Sequence, residues 1–519
     1  MAPQKSMGIL RTLHGVLLVA LVAPATGIAQ LPNAPSTSHA QQIPFSTAEH
    51  GNVSTQQSAG PVPGPSVNTI QSQTVLSGRY GGSVADPSAQ SGELSLGLNE
   101  AIERGLRYNM AGVTADNSQT LVRGQRLSAL SALLPTINAN LSETVTQSYL
   151  PALGLTSNVL QLPGGLGLPT VTGQYHYYTA QGSVSENAFD LTALHNLRSA
   201  EASEKAAKLD AKNARELVVL GVGGAYLQAV ALQAVIESQR QQVALADASY
   251  KQAVAQQSAG TRAKIDANRS LVELRTEQER LTSDEAELAK QKIRLERLIG
   301  ISSAVTLNLR DSLPSQSEPA EPLEELIRRA MIQRNDLSSA AEGVKAAEQA
   351  LKASQSEYIP TVGVNGSYGV QGTNFDVGRV SYNGVASLNI PIWQGGRVRA
   401  DMAQARATLE QRRSEYTDLR AQVEADIRMI YIDVDVAARQ EQVANENRAL
   451  ARDTLQQSQD RFVAGVTDSV EVVQSQESLA SAERDFIASL YTQSLARLRL
   501  AQATGESEKN FHSLLQGAK

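Results

Sequence analysis

The 519-residue chain contains no cysteine. It therefore has no disulfide framework, no thiol nucleophile, no thiolate metal site and no lipid attached through an N-terminal cysteine. Its six histidines lack the spacing of metal ligands, and no glycine-rich phosphate loop follows a predicted strand. Carboxylates are numerous, but they are interspersed with Lys and Arg as on solvated helix faces. The sequence predicts no cofactor, no metal site and no enzymatic activity.

The chain lacks an excess of positive charge, because 46 Lys and Arg residues against 52 Asp and Glu residues give a formal net charge of −6. Lys5 and Arg11 precede an apolar run at 16–25 and small residues up to Ala29, a pattern typical of a secretory signal peptide. Cleavage after Ala29 would remove residues 1–29 with two positive charges and no acid, which changes the net charge from −6 to −8. An acidic exported chain is poorly suited to bind nucleic acid.

Large apolar and charged residues are rare in the segment that follows. Residues 30–92 are rich in Ser, Gln, Pro and Gly, a composition that cannot bury a core. We predict that 30–92 is a disordered extension.

Two β-hairpins are predicted where apolar and polar residues alternate with a period of two. The clearer hairpin has strands near 360–371 and 379–392, and a weaker one has strands near 136–149 and 174–189. One face of the clearer hairpin is predicted to be apolar through Val362, Val364, Tyr368, Tyr382, Leu388 and Ile390. An apolar face of this length needs a soluble core or a lipid bilayer to lie against.

Aromatic residues make up only 4% of the chain, but half of the fourteen tyrosines and the only tryptophan lie in or beside the predicted strands. They are Tyr149, Tyr175, Tyr177, Tyr178, Tyr358, Tyr368, Tyr382 and Trp393. Tyr and Trp at strand ends are typical of the aromatic girdles of membrane barrels, although the β-propensity of Tyr also explains some of them.

Very long helices are predicted after each hairpin, at 191–257, 262–298, 394–462 and 467–503. The first of them would extend about 100 Å at 1.5 Å per residue. Its apolar residues have the spacing of a coiled coil, as at Val222, Ala225, Ala229 and Leu232. The run Gly221-Val-Gly-Gly224 lies within this pattern, where close helix packing is expected rather than phosphate binding.

The chain is a duplication of one unit. Leu133 to Thr136 matches Tyr358 to Thr361 at an offset of 225, and Gly260 and Gly300 match Gly465 and Gly505 at an offset of 205. The longer loop of the first hairpin accounts for the difference. The predicted segments are a first repeat at 93–300, a linker at 301–322, a second repeat at 323–505 and a tail at 506–519.

One stretch of twenty residues, 217–236, has no charged residue and is long enough to cross a bilayer as a helix. Its counterpart in the second repeat, 422–441, carries several acids and arginines. Because equivalent positions of a duplicated fold share an environment, we predict that 217–236 is a buried coiled-coil segment and not a transmembrane helix.

In this organisation the chain resembles the TolC-like outer-membrane efflux proteins, the exit ducts of tripartite pumps. The resemblance covers 94–505. Its most specific pieces are Ser387-Leu-Asn-Ile-Pro-Ile-Trp-Gln-Gly-Gly-Arg397, Arg334-Asn-Asp-Leu337, Phe462-Val-Ala-Gly465 and Glu471-Val-Val473, with a weaker version of the first at Asn187-Ala-Phe-Asp-Leu191.

The resemblance implies an α+β membrane protein of the outer membrane of a Gram-negative bacterium. Each chain of a homotrimer would give four strands to one twelve-stranded β-barrel, which a periplasmic α-helical coiled-coil tunnel continues. Physical reasoning agrees, because four strands cannot close a barrel, whereas three chains leave no open edge. The implied partners are outer-membrane lipid, a periplasmic adaptor protein and an inner-membrane pump. The alternative is a periplasmic coiled-coil scaffold or adaptor protein, which would need no lipid-length apolar strands.

The resemblance also implies two sites at the far ends of the long helices. Adaptor docking is expected at two turns, Ala259-Gly260-Thr261 and Ala464-Gly465-Val466. A gate is expected just beyond them, with candidates Arg262, Lys264, Asp266, Asp468, Glu471 and Gln474.

Two of the gate positions depart from the family pattern. Gln474 replaces a second acid of the ring, and Thr467 replaces a basic residue that would reach Asp266. A link from Arg262 to Asp468 or Glu471 is one candidate closure. The alternatives are solvated charges without a gating role, or an apolar gate. The sequence does not distinguish drug, metal and protein cargo.

Overall fold

The computed structural model describes residues 53–59, 70–86, 92–153, 170–261, 263–314, 321–467 and 469–510. These residues belong to one unit, Thr47–Lys519. The predicted signal peptide, Arg262 and Asp468 lie outside the described residues.

The described residues form nine α-helices and eight strands, together with short 3₁₀ turns. The helices are α1 (Leu98–Tyr108), α2 (Met110–Ser131), α3 (Leu191–Ser258), α4 (Lys264–Ile299), α5 (Leu323–Gln333), α6 (Asn335–Ser356), α7 (Arg397–Val463), α8 (Ser469–Ala503) and α9 (Ser507–Asn510). The strands are β1 (Val53–Ala59), β2 (Ile70–Leu76), β3 (Gly92–Leu96), β4 (Thr136–Thr146), β5 (Tyr175–Phe189), β6 (Val305–Leu309), β7 (Thr361–Gly372) and β8 (Arg379–Asn389).

Equivalent elements recur at fixed offsets. The pairs α1 and α5, α2 and α6, and β4 and β7 each begin 225 residues apart, and α4 and α8 begin 205 apart. The turns between the long helices are also alike, because Gly260 and Gly465 both have φ of 74°. Glycine accepts this left-handed conformation at a helix end without a Cβ penalty. The same geometry therefore closes both helical hairpins.

The four strands of the two hairpins form one antiparallel sheet in the order β4-β5-β7-β8. Within the chain, β4 and β8 are therefore its open edges. The predicted strand to residue 392 is too long, because β8 ends at Asn389, ahead of Pro391. Proline has no N–H to donate to a strand ladder.

Two predictions of irregular structure are wrong within the described residues. Part of the extension, predicted to be disordered, forms the antiparallel pair β1 and β2. The predicted linker contains β6, which pairs in parallel with β3. Both were missed because their strands are short. Residues such as Val53 and Leu307 are also buried by tertiary contacts with the helices, which the local sequence does not reveal.

The largest hydrophobic cluster surrounds the middle of α3. It includes Tyr226, which is fully buried and donates its hydroxyl to the Leu96 carbonyl at 3.0 Å and to Asp311 at 2.9 Å. By length and composition α3 could cross a membrane, but its most apolar stretch is 72% buried inside the protein. This burial favours the predicted packing role for 217–236.

Candidate channel wall and periplasmic mouth

Most apolar residues of the four-stranded sheet lie on one face, which we call the apolar face; Val385 is an exception. Its rows run across all four strands: Leu141–Ala180–Val370–Val380, Ala139–Gly182–Tyr368–Tyr382 and Ile137–Val184–Gly366–Gly384. Its large side chains are exposed in the single chain, including Leu141 at 71% and Tyr382 at 81%. An exposed apolar surface of this extent marks an interaction with lipid or protein.

Five of the six predicted lipid-facing residues belong to this face through their strand pairing. They are Val362, Val364, Tyr368, Tyr382 and Leu388. Ile390 lies one residue beyond the end of β8. A bulge in β5 between Asn187 and Phe189 places Phe189 opposite Val362 on the same face.

The opposite side of the sheet, which we call the polar face, carries mainly amides and hydroxyls. Its rows include Asn138–Ser183–Ser367–Asn383 and Asn140–Gln181–Gly369–Ser381. A sheet that is apolar on one side and neutral and polar on the other suits a wall between lipid and water.

The tyrosines do not form the simple girdle that their sequence positions suggest. Tyr368 and Tyr382 pair with each other within the sheet, and Tyr177 lies on the polar face, where its hydroxyl donates to Gln371. Only the strand register distinguishes these positions, because alternation is weak in this part of β5. Trp393 follows β8 and is 85% exposed, so its place at a membrane boundary stays a prediction.

The two turns at the far ends of the helical hairpins are exposed. Backbone N–H groups of Thr261 and Val466 donate to carbonyls five residues earlier, at 3.0 Å in each case. Val463 and Val466 are 69% and 70% exposed beside the second turn. The predicted docking residues Ala259, Gly260, Thr261, Ala464, Gly465 and Val466 are therefore all accessible in the single chain.

A polar contact joins the two helical hairpins beside these turns. The Ser469 hydroxyl, at the start of α8, donates to Asp266 Oδ1 at 2.9 Å in the first turn of α4. The Asp266 carboxylate is also well placed for the positive end of the α4 dipole. Ser469 therefore contacts the acid that the basic residue of the family pattern, replaced here by Thr467, would contact. The sequence did not predict this partner, because Ser469 lies two positions after Thr467.

Glu471 is held within its own hairpin. Arg461 Nη1 lies 3.1 Å from Glu471 Oε1, and the Thr467 hydroxyl donates to the other carboxylate oxygen. Lys264 and Gln474 are exposed. The proposed partners Arg262 and Asp468 lie outside the described residues, so the predicted Arg262 link stays a prediction.

A cavity of about 280 Å³ lies between the two helical hairpins, next to the contact between Ser469 and Asp266. Glu273 of α4 lines it together with Ser469 and Val472 of α8. Burial raises the pKa of Glu273 to about 7, and repulsion from Glu277 and Glu477 adds to the effect, whereas Arg280 lowers the pKa. The seam between the hairpins therefore contains a carboxyl group that titrates near neutral pH.

Further up the seam, Arg484 of α8 connects the hairpins again. Its guanidinium donates to Gln239 of α3 at 2.8 Å and pairs with Asp284 of α4 at 2.9 Å. Gln239 is buried and donates its amide to the Glu277 carboxylate. Buried networks of this kind fix one packing arrangement when every member has a partner.

Comparison with known proteins gives a consistent result. The family model described as "Outer membrane efflux protein" matches residues 326–506, which is the second repeat. No curated protein sequence matches the chain.

Several solved structures share the fold. The Campylobacter jejuni CmeC outer membrane channel is 13% identical with a TM-score of 0.69, and the match covers 89% of this chain and 98% of that one. The outer-membrane channel OprN is 17% identical, with a TM-score of 0.67 and coverage of 79% and 90%. The Vibrio cholerae outer membrane protein VceC is 17% identical, with a TM-score of 0.65 and coverage of 79% and 96%.

At these identities the solved structures establish the fold. Together with the family match, they confirm the predicted resemblance to the TolC-like outer-membrane efflux proteins. They also support the predicted outer-membrane localisation with a periplasmic helical extension.

Proposed function

We propose that this chain forms the outer-membrane exit duct of a tripartite efflux or type I secretion system. In this proposal it acts as a passive conduit that carries no cofactor and performs no catalysis. The observation that carries the proposal is the continuous apolar face, which crosses four strands whose outer members have unpaired edges within the chain.

Strand length supports a membrane location for this face. The four strands have 11, 15, 12 and 11 residues, and about 9–11 tilted residues are enough to cross a bilayer. Hydrocarbon cannot hydrogen-bond the free N–H and C=O groups of an edge strand. The free edges of β4 and β8 therefore need partners in lipid.

Three-fold association would provide those partners. Each β8 would pair with the β4 of a neighbouring copy, and three sheets of four strands would close a barrel of twelve. The polar faces would line a wet lumen. The long helices would continue the duct into the periplasm, with the turns at Gly260 and Gly465 at its far end.

The exposed turns are the proposed contact with a periplasmic adaptor, which would connect the duct to an inner-membrane pump. Exposed apolar side chains such as Val463 and Val466 beside them suit a protein partner. The proposal concerns the place of docking and leaves the identities of adaptor, pump and cargo open.

Measurements on the purified protein and an efflux assay in cells test the proposed duct. The purified protein should require detergent, have the mass of a trimer, and conduct ions after insertion into planar bilayers. Ala464→Trp should then abolish efflux in cells that carry the native partners, while the trimer and its conductance persist. A monomer that is soluble without detergent would instead indicate a periplasmic scaffold, and unchanged efflux with Ala464→Trp would argue against docking at the turn.

A further inference from the structure

The polar face of the sheet carries a single charged residue. Of the charged side chains in β4, β5, β7 and β8, Glu143 and Glu186 lie on the apolar face by their register with Tyr178 and Val364. The remaining one is Arg379, which begins β8 opposite Gln371 of the polar face. Every other position of the polar face is neutral.

Arg379 lies at the end of the sheet that is farthest from the long helices. Its row on the polar face is Ser142–Thr179–Gln371–Arg379. Asp376, in the loop between β7 and β8, is the nearest acid along the sequence, but no ion pair joins it to Arg379 in the described part of the chain. The other loop at this end, 147–174, contains no charged residue. Among the described residues the guanidinium of Arg379 therefore forms no ion pair that would neutralise it.

We propose that three copies of Arg379 form a basic ring at the outer end of the lumen and give this end of the duct a preference for anions. The inference rests on the proposed trimeric barrel, because only closure places three copies around one pore. Rings of charged side chains are a common means of ion selectivity in pores, and basic rings favour anions. Neutral amides and hydroxyls below the ring would leave it as the main fixed charge of the barrel.

Salt should control the strength of this preference. The Debye length is about 8 Å at 0.15 M salt and about 30 Å at 0.01 M, so a ring in a wide lumen reaches the centre of the pore only when salt is low. The anion preference should therefore increase as the salt concentration falls.

The test measures reversal potentials of single trimers in planar bilayers under a KCl gradient, at low and at high mean salt. Arg379→Gln should lower the chloride-to-potassium permeability ratio at least about twofold at low salt and much less at high salt. Arg379→Glu should lower it further. Asp376→Asn, which removes an acid from the loop at the same end, should not lower the ratio.

A rescue variant shows whether a positive charge on the polar face is what sets the permeability ratio. Asn383 lies on the same strand and the same face, so adding Asn383→Arg to Arg379→Gln should restore the permeability ratio. An unchanged ratio in conducting Arg379→Gln and Arg379→Glu trimers would overturn the basic ring. An unaltered protein that forms no trimer or no channel would overturn the proposed duct instead.

Discussion

Gly221 of α3 lies directly against Leu76 of β2. A Cβ atom on residue 221 would lie 2.6 Å from Leu76 Cδ2, which is closer than side chains can pack. One turn further along α3, Gly224 faces Thr74 of the same strand. Among the glycines of Gly221-Val-Gly-Gly224, it is therefore Gly223 that serves the packing of helices, because it faces Leu498 of α8. The main role of this run is to admit a strand of the N-terminal extension.

This contact explains why the two repeats differ in charge. The counterparts of Gly221 and Gly224 at the offset of 205 are Asp426 and Met429. Met429 is 55% exposed, whereas the segment around Gly221 is buried beneath β1 and β2. Part of the uncharged run at 217–236 thus reflects the docked extension, and the equivalent segments of the two repeats do not share one environment.

Gly221→Leu should expel the β1–β2 pair from α3. Leu76 is partly buried, so exposing it would cost less than the roughly 1.5–3 kcal/mol of a fully buried side chain. A leucine side chain at position 221 would also occupy the space that Leu76 now fills. Limited proteolysis should then cleave within 53–86 much faster. Gly343→Leu is the matched control, because Gly343 lies in α6 with open space around its Cβ position. Equal protection of 53–86 in both variants would show that the contact does not hold the extension.

Arginine substitutions should separate the two faces of the sheet. Val364→Arg and Leu388→Arg would put charge on the apolar face. The cost is about 2–4 kcal/mol for a charge near the bilayer midplane and less toward the strand ends, where Leu388 lies and where Glu186 faces Val364. Ser367→Arg and Asn389→Arg would put it on the polar face. The yield of trimer in the outer-membrane fraction should fall for the first pair and persist for the second. Equal losses in both pairs would contradict the assignment of the faces.

The hydrogen bond between Ser469 and Asp266 should hold the periplasmic mouth closed. A hydrogen bond to a charged group contributes about 1.5–3 kcal/mol, and a trimer has three of them. Ser469→Ala should therefore raise single-channel conductance. Ser414→Ala is the control, since the Ser414 hydroxyl donates to Glu410 of its own helix. If neither Ser469→Ala nor Ser414→Ala changes the conductance of the unaltered protein, other residues close the mouth, and Val470 and Val473 are the first candidates.

Glu273 should make the stability of the helical seam depend on pH. Its pKa is raised to about 7 in the folded protein, so the proton binds more tightly there than in the unfolded chain. The resulting stability is fully present below about pH 4.5 and is lost as pH rises through about 7. Glu273→Gln should therefore raise the melting temperature at pH 8 and change it little near pH 4. A shift of the same size at both pH values would contradict this titration.

The regular parts of this fold follow from local pattern. Proline and glycine end the elements, as at Pro391 and Gly465, and heptad spacing gives the long helices, so their bounds agree with prediction to within a few residues. Contacts between distant segments could not be predicted in the same way. The β3–β6 pair and the strand against Gly221 depend on residues far apart in sequence.

Contacts at the predicted gate could not be predicted from local pattern either. The resemblance to the TolC-like family implied Asp266 and Glu471 as the acids of interest, but their partners depend on how two helical hairpins pack. Ser469 and Arg461 are ordinary residues in the sequence, and only the packing reveals the contacts they make. The gate therefore stays a prediction, and the structure adds the contacts that Asp266 and Glu471 make.

Closure of three sheets into one barrel is the central claim, and cross-linking between β8 and β4 tests it most directly. The chain has no cysteine, so Ser381→Cys in β8 and Asn140→Cys in β4 would introduce its only thiols. Within one chain these strands are the opposite edges of the sheet. Because barrel closure staggers the register of neighbouring strands, Ser381→Cys is combined in turn with a cysteine at each polar-face position of β4. A short thiol-specific cross-linker applied to the membrane-embedded protein should yield a covalent trimer on a denaturing gel for at least one of these pairs, and Ser183→Cys in β5 with Asn140→Cys should yield only monomer. Failure of every edge pair to yield any species larger than a monomer would contradict the barrel.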